Sequence, residues 1–266
     1  MKMHHRIKFI AITGGSGAGK TWLAGRLQRA LGAAACRLSL DNFYLDRSSL
    51  PPAERERINF DHPDSIDWLR FEEVLADCRS GRPTRMPCYH FATHTRRPFC
   101  ENFTPAPLVL VDGLWLLWQP RIHELFDLKI YLDCPAPLRL ERRLARDAAE
   151  RGRSDDSVRA QFWNHVAPMH DQFVAPQAEW ANLIFQAPLG DNSLRQLIEM
   201  LEGELLRVAL PGTKPPDETM AFPAPARRTD QAAEVGFDIP DFVLSATARN
   251  VKETDSRGGL IQPDLT

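Results

Sequence analysis

The sequence predicts an α/β doubly wound domain built on a parallel five-stranded sheet. Three observations lead there. Short apolar stretches alternate with amphipathic ones up to about residue 207. The apolar stretches run nearly unbroken instead of alternating with polar residues, as strands covered on both faces do. A glycine-rich loop joins the first of them to the first amphipathic stretch.

IKFIAIT (7–13), CRLSL (36–40), LVLVDG (108–113), KIYLD (129–133) and NLIFQ (182–186) are the five strands, all read as buried. Between the first two, KTWLAGRLQRALG has helical spacing and ends at Gly32, where a residue without a Cβ can close the helix in a left-handed conformation. FDHPDSID reads as a proline-bearing turn entering a helix, with Asp64 or Ser65 as its cap. That helix, DWLRFEEVLADCRSG, ends at Gly81. LRLERRLARDAAERGRS (138–154) is a third, terminated by Gly152.

With 43% hydrophobic residues, the 266-residue chain can build a substantial core. Its 33 basic and 35 acidic residues leave a formal charge of -2, so no global field favours nucleic acid or an anionic membrane, and neither is expected as a partner. The five cysteines, at 36, 78, 88, 100 and 134, include no CxxC pair and predict reduced thiols. No apolar run reaches the ~18 residues of a membrane helix and the start lacks a signal-peptide core, so a cytoplasmic protein is expected. Beyond residue 207 the composition changes. There, 7 of the 21 prolines lie between 211 and 266, whereas every Trp and Tyr precedes residue 181. This divides the chain into a folded domain, 1–207, and a tail, 208–266, too poor in apolar surface to offset its ordering entropy, apart from one patch at VGFDIPDFVL (235–244).

GGSGAGKT, that is Gly14, Gly15, Ser16, Gly17, Ala18, Gly19, Lys20 and Thr21, fits G-x-x-x-x-G-K-[ST] between a strand and a helix. Its glycines let backbone N–H groups close around phosphate, the helix N-terminus adds favourable partial charge, Lys20 reaches the β- and γ-phosphates, and the Thr21 hydroxyl serves Mg²⁺. ATP-type triphosphate binding follows; the acceptor does not. Two other strands run into acids, Asp41 and Asp112, beyond the sheet's carboxyl edge, where ligands bind in open α/β sheets. Such a pair can divide the work of proton acceptor and metal ligand.

Two clusters remain open on residue type alone. In the third helix Arg143, Arg146 and Arg153 fall on one face, which suits either an anion or a solvated surface with Arg143–Asp147 and Arg146–Glu150 pairs. PCYHFATHTRR (87–97) suits a surface hairpin or a small-molecule wall; Cys88, His90, His94 and Cys100 could hold zinc but lack its usual close ligand pairs.

In order, GGSGAGKT, LDNFYL, INFDHPDSID, PCYHFATHTR, LVLVDGLWLL and RRLARDAAERGR resemble the uridine kinase branch of the phosphoribulokinase and uridine kinase family, over about residues 8–186. The resemblance implies a P-loop NTPase-type sheet with a substrate-binding β-hairpin and an Arg-rich lid helix. It implies ATP with Mg²⁺, phosphorylation of the 5′-hydroxyl of uridine and of cytidine in pyrimidine salvage, and a homo-oligomer. By the same resemblance Asp41 is the catalytic base, Tyr44 and Gln161 lie near the acceptor, and Asp61 holds the ribose hydroxyls. Tyr89, Phe91 and His94 contact the pyrimidine, with Arg143 completing the pocket. Arg146, Arg151 and Arg153 stabilise the transferring phosphoryl group together with Lys20. Thr21 and Asp112 serve the metal, although the family commonly has Glu where this chain has the shorter Asp112. Two other expectations stand beside this one: a sister kinase for a sugar phosphate or vitamin precursor, and a non-catalytic nucleotide-binding regulator acting through its tail.

Overall fold

In the computed structural model, residues 7–55 and 57–209 are described. The apolar patch at 235–244 and nearly all of the expected tail lie outside them. Among the described residues nine strands form, in chain order: β1 (Lys8–Gly14), β2 (Ala35–Ser39), β3 (Thr84–Met86), β4 (Tyr89–His90), β5 (Thr95–Arg96), β6 (Glu101–Phe103), β7 (Leu108–Asp112), β8 (Leu128–Asp133) and β9 (Leu183–Gln186). Five of them make the expected parallel sheet, in the order β2-β7-β1-β8-β9.

The unbroken apolar runs are explained by burial on both faces. Along β1, Phe9 and Ala11 point into one layer with Leu38, Val109, Val111, Phe71 and Trp115, while Ile10 and Ile12 point into the other with Leu23, Leu27, Leu110 and Ile130. Each fully buried aliphatic side chain contributes about 1.5–3 kcal/mol, so this double layer dominates the domain's stability. β9 departs from the expectation of a buried strand. It lies at the sheet's edge, where Leu183 and Phe185 pack inward and Ile184 is 47% exposed.

The helices begin and end where backbone chemistry allows. Lys20–Leu31 follows the glycine loop and stops at Gly32, φ 57°. Trp68–Arg79 is capped by Asp67, whose carboxylate accepts from the Arg70 N–H at 3.1 Å, not by Asp64 or Ser65 as the sequence suggested; those two sit in the turn ahead of it, Pro63–Ser65. Ala136–Arg151 starts behind Pro135 and closes at Gly152, φ 63°. Next, Asp155–Gln161 is capped by Ser154 and runs into two π turns, Phe162–Val166 and His170–Val174. The Asp191–Ala209 helix covers the second core layer through Leu194, Leu197 and Leu201. Off the sheet, β3 pairs with β6 and β4 with β5, so PCYHFATHTRR is a hairpin held by Tyr89↔Arg96 and His90↔Thr95. No helix among the described residues is long and apolar enough to cross a membrane.

Candidate active site

Lying in the middle of the sheet with a wide turn at its carboxyl end, β1 delivers the phosphate loop to the point where ligands gather in such folds. Gly17 and Gly19 hold φ of 85° and 101°, which side chains rarely adopt, and a Cβ on Gly17 would come within 2.6 Å of the Arg139 carbonyl oxygen. The loop is thus seated on the start of the arginine helix. Arg142 reinforces the seat by donating to the carbonyls of Gly17 and Ala18 at 3.1 and 3.2 Å.

Register places the acids. β7 pairs with β1 and β2 so that Asp112 sits level with Ile12 and Ser39. Its Oδ2 accepts from the Thr21 hydroxyl at 2.9 Å and faces the Ser39 hydroxyl at 3.5 Å. The Oδ1 atom is buried without a hydrogen bond, 3.9 Å from Arg37 Nε. Leu40 leaves β2 for the turn Leu40–Phe43, which swings Asp41 into the cleft opposite Lys20. Burial, and then the neighbouring Asp41 charge, push the Asp112 carboxyl above its usual range. Burial pulls Lys20 down to about 8 against the opposing pull of Asp41 and Asp112, and its Nζ donates to the Gly15 carbonyl at 2.9 Å. One Asp112 oxygen meets the phosphate loop's Thr21 hydroxyl and the other accepts no hydrogen bond, a hard oxygen set that fits a hydrated Mg²⁺. Despite its missing methylene, Asp112 reaches the Thr21 hydroxyl.

A cavity of about 650 Å³ extends from the loop to the hairpin, lined by Ser16, Gly17, Gly19, Lys20, Thr21 and Asp41 at one end and by Tyr44, Asp61, Tyr89, Phe91 and His94 at the other. Tyr44 centres the far end, with ring centroids of Phe60, Tyr89 and Phe91 at 6.0, 5.1 and 6.1 Å. Tyr89 keeps a buried hydroxyl without a hydrogen-bond partner, and burial pushes that phenol up to about 12. Asp61 is raised by burial, against the lowering fields of Arg143, His165, Arg151 and Arg146.

Arg142, Arg143, Arg146, Arg151 and Arg153 line the side of the same cavity, with Gln161. Of the solvated-face alternative for this helix, the Arg143–Asp147 pair forms, at 3.7 Å, but it is buried. Arg143 is 4% exposed, donating from Nη1 to Ser16 Oγ at 2.7 Å and from Nη2 to Gln161 Oε1 at 3.2 Å. Arg153 Nη1 donates to that same Gln161 oxygen at 2.6 Å. The Arg151 guanidinium lies 5.1 Å from the centre of the Phe91 ring, so helix and hairpin meet across the cleft.

Every residue expected in the site except Gly14, Gly15, Ala18 and Asp112 lines this one cavity, and those four lie in or directly behind the loop. Sequence reasoning missed several others. Arg96 clamps the hairpin to the Asp41 turn, donating to the Tyr44 carbonyl at 2.9 Å and pairing with Asp67 at 2.9 Å. Buried Gln177 ties the loop after β7 in place through the Leu117 N–H and the Leu114 and Phe173 carbonyls, each at 2.8 Å. His90, considered from the sequence only as a zinc ligand, borders the cavity and pairs with Thr93 at 2.8 Å. Of these, only His90 and Arg96 stood in a stretch the sequence had marked. Zinc finds no support among the described residues, where no three His, Cys, Asp or Glu side chains converge and the cysteines are free.

Cations ring one end of the cavity, acids stand between, and the aromatic end is shaped for a small acceptor. Such a cleft belongs to the phosphate-loop kinases, which are phosphotransferases. The profile of the Phosphoribulokinase / Uridine kinase family matches residues 9–193, and the chain belongs to that family. It is 40% identical to a uridine kinase of Staphylococcus aureus (strain JH9) over 176 residues, 66% of this chain and 85% of the relative. In three dimensions it is similar to a putative fructose transport system kinase from Silicibacter sp. TM1040, with a TM-score of 0.57 and 20% identity over 70% of this chain and 92% of the other. Phosphoribulokinase from Rhodobacter spheroides superposes with a TM-score of 0.52 at 19% identity, covering 68% of this chain and 70% of the other. These two likenesses concern the fold.

Proposed function

We propose that this chain transfers the γ-phosphoryl group of ATP to the 5′-hydroxyl of uridine, and of cytidine through the same pocket. The observation that carries the proposal is the single cavity joining Lys20, Thr21 and Asp41 to Tyr44, Asp61, Tyr89, Phe91 and His94. The uridine kinase relative at 40% identity supports the choice of acceptor. Asp61 offers two oxygens to the vicinal hydroxyls of a ribose. The aromatic end offers ring faces to a pyrimidine, with the imidazole of His94 and the Tyr89 hydroxyl as polar edges for its carbonyls.

Asp41, between the loop and the acceptor end, takes the proton of the 5′-hydroxyl as its oxygen forms the new bond to phosphorus and the bond to the ADP oxygen breaks. Lys20 and the guanidinium groups of Arg146, Arg151 and Arg153 meet the charge spread over the phosphoryl oxygens. Held by Thr21 and Asp112, Mg²⁺ would neutralise charge on the β- and γ-phosphates. Pyrimidine salvage in the cytoplasm, by a homo-oligomer, belongs to the same proposal.

The test is ADP release with ATP and Mg²⁺ across uridine, cytidine, purine nucleosides, a phosphorylated sugar and a vitamin alcohol. Turnover confined to the two pyrimidine nucleosides is expected. Folded protein that ignores uridine but turns over another alcohol would overturn the acceptor, and silence across the panel with ATP still bound would favour a regulator.

A further inference from the structure

Asp147 is fully buried in the arginine helix and does not border the cavity, whereas its arginine partners do. Its Oδ1 accepts from Arg146 Nε at 2.8 Å, lies 2.8 Å from Arg146 Nη2, and is 3.5 Å from Arg151 Nη1. Its Oδ2 faces Arg143 Nη2 at 3.7 Å. The backbone takes part as well, because the Asp147 carbonyl accepts from the N–H groups of Gly152 and Arg153, where the helix turns. One residue thus stands behind three guanidinium groups with its carboxylate and under the start of a fourth arginine with its carbonyl. The sequence pairs Arg146 with Glu150 at i,i+4, yet the guanidinium turns back to Asp147 instead.

Three clustered cations beside a phosphate site repel one another and would splay without a counter-charge. A carboxylate outside the cavity removes that tendency without offering a negative surface to the ligand. It also engages the Nε–Nη2 edge of the Arg146 guanidinium and stands against one nitrogen each of Arg151 and Arg143. We propose that Asp147 is a positioning residue that pre-organises Arg146 and Arg151 for the triphosphate of the donor. The inference rests on the proposed function only in taking ATP as the ligand of these arginines, and it does not depend on the acceptor.

The sign of the effect separates positioning from simple charge. Asp147→Asn removes a negative charge next to an anion site, so Coulomb attraction alone makes ATP bind more tightly. Pre-organisation predicts the reverse, a loss of about tenfold in ATP affinity, because the entropy of gathering the arginines falls on the binding step. The experiment is calorimetric titration of Mg-ATP into the full chain, its Asp147→Asn, Arg146→Gln and double variants, with urea midpoints recorded for each. Because Asp147 acts through Arg146, the loss caused by Arg146→Gln should shrink several-fold in the Asp147→Asn background; a residue that merely holds the fold gives additive losses. Affinity in Asp147→Asn equal to or above that of the unmodified chain, or additive losses, overturns the proposal. Should Asp147→Asn fail to fold, Asp147→Glu keeps the charge and moves it by one methylene; wild-type affinity there overturns it equally, and a threefold or greater loss supports it. If the unmodified chain binds no ATP, this inference and the donor reading fall together, whereas ATP binding without uridine turnover removes only the acceptor.

Discussion

His94 lies flat against Phe60, with ring centroids 4.2 Å apart and planes 11° from parallel. The contact joins the tip of the β4–β5 hairpin to the loop that carries Asp61, so two segments distant in sequence form one wall. His94 also holds φ 52°, a left-handed conformation that costs a non-glycine residue on the order of 1 kcal/mol and persists because the surrounding packing holds it.

That wall is at the end of the cavity away from the phosphate loop, the end proposed to take the acceptor. His94→Ala should therefore raise the KM for uridine about tenfold while moving that for ATP less than about twofold, since it removes a ring face and a polar edge from one ligand only. Steady-state kinetics varying each substrate in turn check this; equal rises would contradict the assignment.

Asp41 stands between the two ends of the cavity, and its proposed work is confined to the proton. Asp41→Asn keeps the shape and removes the basicity. Its kcat should fall by about 10²–10⁴-fold, with the ATP dissociation constant within about twofold of the unmodified chain. Turnover within a factor of three of normal would remove Asp41 as the base.

Lys20 makes ATP affinity depend on pH with a defined sign. In the free protein burial holds its ammonium at about 8, and bound phosphate oxygens raise that value. Below 8 the lysine is charged both before and after binding, so affinity is flat with respect to this group. Above 8 binding must take up a proton, and affinity falls by up to about tenfold per pH unit. Titration from pH 7 to 9.5, in buffers of different ionisation enthalpy, should show proton uptake appearing above 8. Lys20→Met should bind weakly and lose that uptake.

Gln177 bears on stability. Replacing it with Leu takes the side-chain partner from the Leu117 N–H and the Phe173 carbonyl and leaves the Leu114 carbonyl only the Thr13 hydroxyl, at a cost of about 2–4 kcal/mol. The urea midpoint should drop accordingly. A change below about 0.5 kcal/mol would mean that water or a neighbour replaces the amide.

Much of the fold was legible because it is a matter of local pattern. Near-continuous apolar runs marked the strands of a sheet buried on both faces, and glycines marked where helices end. β9 was overread as buried, since an edge strand packed through Leu183 and Phe185 has nearly the same composition as a central one. The cap of Trp68–Arg79 was misplaced by two to three residues because Asp64, Ser65 and Asp67 are all good caps, and the isolated bridge between Tyr44 and Ile66 extends the chain past the first two.

Within the site, the sequence by itself determined the phosphate loop, because eight consecutive residues with the right glycines build an anion cradle from their own backbone. It also marked Asp41, Asp112, the hairpin and the arginine helix as chemically loaded. Only the tertiary structure decided what those charges face. Helix spacing gives Asp147 to Arg143 and Arg151 and Glu150 to Arg146, yet Arg146 joins the other two on Asp147, and burial makes that choice: at a position with no solvent, the one carboxylate present must be shared by every cation around it. Likewise, Phe60, Tyr89 and Trp115, from three other segments, converge around Tyr44, where the pairing of β2 with β7 sets Tyr44 and Trp115 beyond neighbouring strand ends, a relation between distant parts of the chain that no local pattern encodes.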